Sequence, residues 1–376
     1  MIYIEPIQKR IILPLERAAN AIFTQKYNPF YYHGALPNFF LWCLFLSGLL
    51  LLVYYQATTE TAFNSMKYIT FEAPFGNAIR SIHRYASDGM MIFVIIHLFR
   101  VWFTDRFREY RILPWITGIV LLALLFFVGM TGYTLIWDND AIGLLNLTAN
   151  ALRSFPFVGE ALAQAYLAGP TVNDYTLTLT LAVHLGIPML MMFMLFLHYL
   201  RITRPVTDSP LALNVLMLGG LFLAAGLAPV ALEEAPPVDF IARGAVDLSV
   251  LYAWPQILLA RGWASGWVLL AVLAVPFGLL ALPYLQKKAL RGQYAQVVTE
   301  NCTGCSLCYA DCPYEAITMV DRDPSEGSRF KRLATVDPGR CANCGLCVGA
   351  CAFKAIDIPR CDSNDVLAEL EATFAV

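Results

Sequence analysis

Four of the five histidines in this 376-residue chain form two pairs at one spacing. His83 and His97 are fourteen residues apart, and so are His184 and His198. On an α-helix fourteen residues is close to four turns, so both imidazoles of a pair share a face, about 21 Å apart along the axis. Two facing helices with matched pairs create two bis-histidine sites stacked one above the other. Haem iron is the expected occupant, because helix-bundle cores hold such cofactors between facing side chains. A lone intramembrane histidine is often just a satisfied hydrogen-bonding group, but two pairs at identical spacing are not explained that way. Glycines repeat the period, with Gly34 and Gly48 in one apolar stretch and Gly118 and Gly132 in another. Lacking a Cβ, they let a flat ring approach the helix backbone. Small-residue helix packing explains any one of them, but not the shared period.

Cysteine is the second chemistry-bearing set, and nine of the ten follow residue 300. Cys302, Cys305, Cys308 and Cys312, with Pro313, read C-x2-C-x2-C-x3-C-P. Cys341, Cys344, Cys347 and Cys351 repeat the spacing, with Ala352 in place of the proline. Thiolates so spaced hold three corners of an iron–sulfur cubane, and the fourth cysteine of each run ligates the other cluster. One [4Fe–4S] cluster is therefore expected on Cys302, Cys305, Cys308 and Cys351, and the other on Cys341, Cys344, Cys347 and Cys312. Paired C-x2-C also suits zinc, but two complete four-cysteine runs favour clusters. Cys361 is surplus, and Cys43 reads as packing. Metal ligation, rather than a disulfide framework, implies a reducing compartment.

These residues need elements to hold them. The chain is 58% hydrophobic and only 14% charged, against about a quarter charged in soluble domains. Six windows are long and apolar enough to cross a bilayer core of ~30 Å: 36–56, 80–103, 113–136, 176–203, 211–231 and 263–285. Thirteen basic residues, Arg106, Arg108, Lys287 and Lys288 among them, fall on the side of the N-terminus, and six at most on the other. The positive-inside rule puts both termini and the cysteine domain in the cytoplasm of a bacterial plasma membrane. The opening residues lack the pattern of a secretory signal and read as an amphipathic surface helix. The outer connections 137–175 and 232–262 are longer than a crossing needs and suit a docking or covering role. No basic run is interleaved with aromatics, which excludes a nucleic-acid partner.

The stretches 79–102 (IRSIHRYASDGMMIFVIIHLFRVW), 115–122 (WITGIVLL) and 130–138 (MTGYTLIWD) resemble the cytochrome b subunit of cytochrome bc complexes, especially the split form of chloroplast-type bf complexes. The resemblance covers about residues 10–285. It implies that His83 and His184 bind the outer, low-potential haem, and His97 and His198 the inner, high-potential one. It places Arg80, Arg84, Arg100 and Arg201 where the family pairs cations with haem propionates, as a buried carboxylate requires. Two departures stand out. Where the family carries a Pro-Glu-Trp-Tyr motif, this chain has Ser249-Val250-Leu251-Tyr252. Tyr252 survives, but Val250 cannot take a proton from quinol. Tyr32, beside His33, stands where the chloroplast-type family attaches an additional haem through cysteine, and His33 is a candidate for an inner quinone pocket. The cysteine region resembles bacterial two-cluster ferredoxins.

The expected fold is an all-α membrane protein with six transmembrane helices, a four-helix di-haem bundle plus two, and a small α+β ferredoxin-like C-terminal domain. Its parts are a surface segment (1–35), the di-haem domain (36–210), a two-helix part (211–290) and the two-cluster domain (291–376). The expected cofactors are two haems b and two [4Fe–4S] clusters, with a quinone site. Expected partners are quinone, membrane lipid, a second copy in a dimer, and other subunits such as a Rieske protein or multihaem cytochrome c. The expected function is electron exchange between the cytoplasmic clusters, the haems and the quinone pool or an outer-face partner. A full quinol:cytochrome c oxidoreductase core and a bare conduit without a quinone site are the competing readings.

Overall fold

A computed structural model describes residues 13–103, 107, 111–200, 207–237, 239, 249–285, 294–312, 316–323, 327–338, 340–341 and 346–358. The N-terminal helix α1 (Leu13–Tyr27) leads through a short 3-10 turn into α2 (Leu36–Leu52). Pro37 lies in the first turn of α2, where its missing N–H costs nothing. Next come α3 (Ala62–Phe71), α4 (Gly76–Phe103) and α5 (Ile112–Thr134). The long connection after α5 is not irregular. It folds into α6 (Asn139–Arg153) and α7 (Gly159–Leu167) before α8 (Asp174–Tyr199). The Asp138 carboxylate caps α6 by accepting from the Ala141 N–H at 2.9 Å. A capping box opens α8: Asn173 accepts from the Tyr175 N–H at 2.9 Å, and the Thr176 hydroxyl accepts from the Asn173 N–H at 3.0 Å. Such caps satisfy amide donors that have no partner within the helix.

Helices α9 (Leu211–Leu227), α10 (Val250–Ala260) and α11 (Ser265–Leu285) complete the apolar region. The expectation of six spans is only partly met. Helices α4, α5, α8 and α11 are long and apolar enough to cross a membrane. The other two predicted spans form α2 and α9, of 17 residues each, about 25 Å of helix. Side chains such as Phe193, Phe196, Phe222 and Leu223 are more than half exposed, as expected of helices that face lipid.

The bundle is built from two tight pairs, α2 against α4 and α5 against α8. Leu36, Phe40, Met90, Met91, Leu125 and Met191 form its shared core, which also takes in Leu213 and Leu221 of α9. Helices α4 and α8, which carry the histidines, hardly touch each other. The two pairs therefore stand apart around a gap that neither fills.

Beyond the apolar region lies a small α+β unit. Strand β1 (Gln296–Val297) pairs antiparallel with β4 (Ile356–Asp357), and β2 (Ile317–Asp321) with β3 (Arg332–Val336). Two five-residue helices, α12 (Leu307–Asp311) and α13 (Leu346–Ala350), each follow one cysteine loop. The core of this unit consists largely of alanine, isoleucine and the cysteines themselves.

Candidate metal centres

Both histidine pairs lie on continuous helices, His83 and His97 on α4, and His184 and His198 on α8. Across the gap His83 faces His184 with ring centroids 6.5 Å apart, and His97 faces His198 at 6.3 Å. Two imidazoles sharing one metal through nitrogens about 2 Å away put their centroids about 6.3 Å apart. The observed spacing thus matches a bis-imidazole iron site at both levels. A cavity of 610 Å³ opens beside the His83–His184 pair and is lined also by Gly48, Gly132, Arg80 and Arg84.

The four glycines do something more specific than notch the helices for a flat ring. A Cβ added at Gly48 would lie 3.2 Å from Cε1 of His83, and at Gly34 3.3 Å from Cε1 of His97. The corresponding distances are 3.2 Å from Gly118 to His198 and 3.1 Å from Gly132 to His184. Each glycine makes room for the imidazole on its own partner helix. Gly34 itself lies in the turn before α2 rather than in a span.

The residue before each glycine then holds that ring through Nδ1. Ser47 Oγ is 2.9 Å from His83 Nδ1. Thr117 Oγ1 is 3.0 Å from His198 Nδ1, and Thr131 Oγ1 is 3.0 Å from His184 Nδ1. At the fourth position the partner is an imidazole, with His33 Nδ1 2.7 Å from His97 Nδ1. Partners of this kind orient a ligand ring and leave Nε2 for the metal. The signal was present in the sequence as four polar–glycine dipeptides, His33-Gly34, Ser47-Gly48, Thr117-Gly118 and Thr131-Gly132.

The arginines are placed individually. Arg80 donates to the carbonyls of Val230 and Ala231 at 2.8 and 2.7 Å. Arg84 pairs with Asp88 at 2.5 Å and donates to the Tyr133 hydroxyl. Arg100 Nη1 is 2.8 Å from His33 Nε2. Arg201 lies outside the described residues, as do Cys344 and Cys361.

In the small unit, Cys302, Cys308, Cys312 and Cys347 are buried, Cys341 and Cys351 half-buried, and Cys305 exposed; none of these is in a disulfide. Burial pushes the Cys308 thiol up to about 11, aided by the nearby sulfurs of Cys351, Cys302 and Cys305 and opposed by the Tyr309 N–H. Cys351, from the distant second run, is thus close enough to Cys308 to act on it alongside Cys302 and Cys305. The two fourth cysteines are related by a local symmetry, since Cys312 Sγ accepts from the Ala316 N–H and Cys351 Sγ from the Ala355 N–H, both at 3.3 Å. Gly304 is at φ +70°, and a Cβ there would lie 2.6 Å from the Arg332 carbonyl, so this turn of the first cysteine loop requires glycine.

Residues 19–205 match the family model described as Cytochrome b/b6/petB. Over 194 residues the chain is 34% identical to cytochrome b6 of Acaryochloris marina (strain MBIC 11017), spanning 50% of this chain and 90% of that protein. The chain belongs to the cytochrome b/b6 family. Cytochrome b6 of Gracilaria tenuistipitata var. liui is likewise 34% identical over 166 residues, 44% of this chain and 77% of that one. Residues 301–355 match the 4Fe-4S dicluster domain, so the C-terminal unit is an iron–sulfur domain joined to the cytochrome b portion. The fold is also similar to a chain of a hyperthermophilic respiratory Complex III, with a TM-score of 0.58 and 19% identity over 76% of this chain and 83% of that chain.

Within this family frame the residues present fit haem b. The ring spacing suits a shared iron, and Nδ1 partners leave each Nε2 for it. Val250 is 65% exposed, whereas Tyr252 is buried, with its ring against Gly129. The Tyr252 hydroxyl donates to the Ser87 carbonyl at 2.7 Å and accepts from the Ser87 hydroxyl at 2.8 Å. Tyr252 ties α10 to α4. Cys43 is a half-buried residue packed against the bundle core.

Proposed function

We propose that this chain is the membrane electron-transfer subunit of a bc-type respiratory complex, passing electrons between its iron–sulfur clusters, two b haems, and the quinone pool or an outer-face partner. The observation that carries this reading is the pair of facing histidine sites, spaced 6.5 and 6.3 Å between ring centroids, on one chain with a dicluster domain. His83 with His184 and His97 with His198 hold the haems. Cys302, Cys305, Cys308 and Cys351 hold one cluster, and Cys341, Cys344, Cys347 and Cys312 the other. When bound, these groups supply one-electron chemistry. The surrounding side chains orient the ligand rings and, being mostly apolar, keep water from the metal sites.

The basic residues around the N-terminus and the cluster domain put the clusters on the cytoplasmic side, the level of His97 and His198. One contact supports that order. Arg111, at the start of the helix that carries Gly118, donates to the carbonyl of Arg340 at 3.4 Å, next to Cys341. Val250 has no proton-accepting group, which supports a route through the clusters rather than a full quinol:cytochrome c oxidoreductase core. Further redox subunits and a second copy complete the assembly.

A His97→Leu variant, purified with the complex, tests the reading. One b haem should disappear from the reduced-minus-oxidised spectrum while the cluster EPR signals persist. Unchanged haem content would sink the assignment.

A further inference from the structure

The loop end of the β2–β3 hairpin grips the first cysteine loop at two points. Arg322 directly follows β2, and its N–H extends the ladder by donating to the Lys331 carbonyl at 2.9 Å. Its side chain turns the other way. Nη2 donates to the carbonyls of both Thr299 and Cys302, at 2.7 and 2.8 Å. That nitrogen carries two hydrogens, so each carbonyl takes one. From the facing strand, the Arg332 carbonyl lies only 2.6 Å from where a Cβ at Gly304 would stand. The second run starts differently, from a local turn in which the Asp337 carbonyl accepts from the N–H groups of Arg340 and Cys341, at 3.2 and 3.0 Å.

The grip fixes one peptide group. In a trans peptide the carbonyl and the N–H point in opposite directions. With the Cys302 carbonyl held by Arg322, the Thr303 N–H faces away from the hairpin. Among the described residues no backbone carbonyl accepts from that N–H, and the Thr303 hydroxyl is buried with no partner. Buried donors are normally satisfied, so two unpaired donors on one residue call for an acceptor bound beside them. Thr303 stands between Cys302 and Gly304, where sulfur is the acceptor at hand. The second run carries Ala342 at the same place, which has no hydroxyl.

We infer that Arg322 is a positioning residue, orienting the Cys302–Thr303 peptide so that Thr303 donates hydrogen bonds to sulfur of the first-run cluster. Hydrogen bonds to cluster sulfurs favour the reduced, more negative state. Arg322 therefore raises the potential of that cluster and holds its loop ready for metal. The inference rests on the reading of Cys302, Cys305, Cys308 and Cys351 as the ligands of one cluster.

The test uses the full chain in native membranes or gently solubilised complex, titrated redox-wise and followed by EPR. In Arg322→Met one of the two cluster equilibria should shift at least tenfold toward oxidation, about 59 mV lower for one electron, while the other stays. Thr303→Ala should move the same cluster in the same direction by less, since its N–H remains. Alkylation during EDTA-driven cluster release, read by peptide mapping, tells the two clusters apart. In Arg322→Met, Cys302 and Cys305 should label at least tenfold faster than in the wild type, with Cys341 and Cys347 unchanged. Faster labelling of the second run alone would overturn the inference. Arg322→Lys keeps a cation but loses the planar fork, so it should recover only part of the potential. Full recovery there would show that charge alone acts, and overturns the inference. Two unmoved potentials in Arg322→Met overturn it as well, even with faster cluster loss, because Arg322 is then a structural clamp only. If Arg322→Met does not accumulate, Arg322→Lys decides alone, and wild-type values for both potentials overturn the inference. A wild type without any [4Fe–4S] signal would instead defeat the cluster reading itself.

Discussion

Replacing Gly132 by alanine probes how tightly the bundle holds its ligands. The added Cβ would lie 3.1 Å from Cε1 of His184 and 3.7 Å from its Nδ1, so the ring must retreat by a few tenths of an ångström. It is poorly placed to do so. Nδ1 is held at 3.0 Å by Thr131, the residue before Gly132, and lies 3.1 Å from the Val128 carbonyl. Retreat stretches both contacts and carries Nε2 off the line to His83. Overpacking of this kind costs about 1–3 kcal/mol, and disturbing a ligand's orienting partners costs about 10–100-fold in metal affinity. At 1.4 kcal/mol per tenfold the two estimates agree. Gly132→Ala should therefore lose haem from the His83–His184 site about ten- to a hundredfold more readily, with the His97–His198 haem retained. Gly186→Ala is the control on the same bundle, since a Cβ there meets nothing within 4 Å. The assay is haem per chain and haem-loss rate, followed by difference spectroscopy with apomyoglobin as the acceptor. Equal loss rates for Gly132→Ala and Gly186→Ala would refute the reasoning.

Two further outcomes follow from the packing and the cysteine site. Gly129→Ala would place a Cβ 2.2 Å from the Tyr252 ring; it should lower thermal stability by about 1–3 kcal/mol, and the same substitution should cost less in a Tyr252→Ala background. Strictly additive effects in this double-mutant cycle would show that the two side chains do not compete for the space. In cluster-free protein the Cys308 thiol, raised to about 11, should alkylate at pH 8 about a thousandfold below its full thiolate rate, climbing tenfold per pH unit. Peptide mapping by mass spectrometry reads this directly, and a plateau by pH 9 would contradict the burial that raises it.

Much of the molecule was legible in the sequence, for local reasons. A helix puts residues fourteen apart on one face whatever surrounds it, so His83 with His97 and His184 with His198 could be read as ligand pairs. The cysteine runs are similarly local, because three ligands of each cubane sit within one short loop. The long apolar windows predicted α4, α5, α8 and α11. They overstated the length of α2 and α9, where apolar sequence continues past the helix.

Tertiary packing decided what local periodicity does not contain. Each glycine's purpose depends on which helix lies against it, and the structure sets α2 on α4 and α5 on α8. Arg80 and Arg84 are cations in any reading, but only the fold gives Arg80 the carbonyls of Val230 and Ala231, and brings the Tyr133 hydroxyl to Arg84. Tyr252, read in sequence as what remains of an outer motif, is a buried tether between α10 and α4. His33 was an unpaired interfacial histidine in sequence. The turn ahead of α2 brings it against His97 with Arg100 behind it. Sequence alone determined which residues could bind metal, because spacing along a helix or loop is a local property. The partners that orient them depend on contacts between segments far apart in the chain, and only the folded structure contains those.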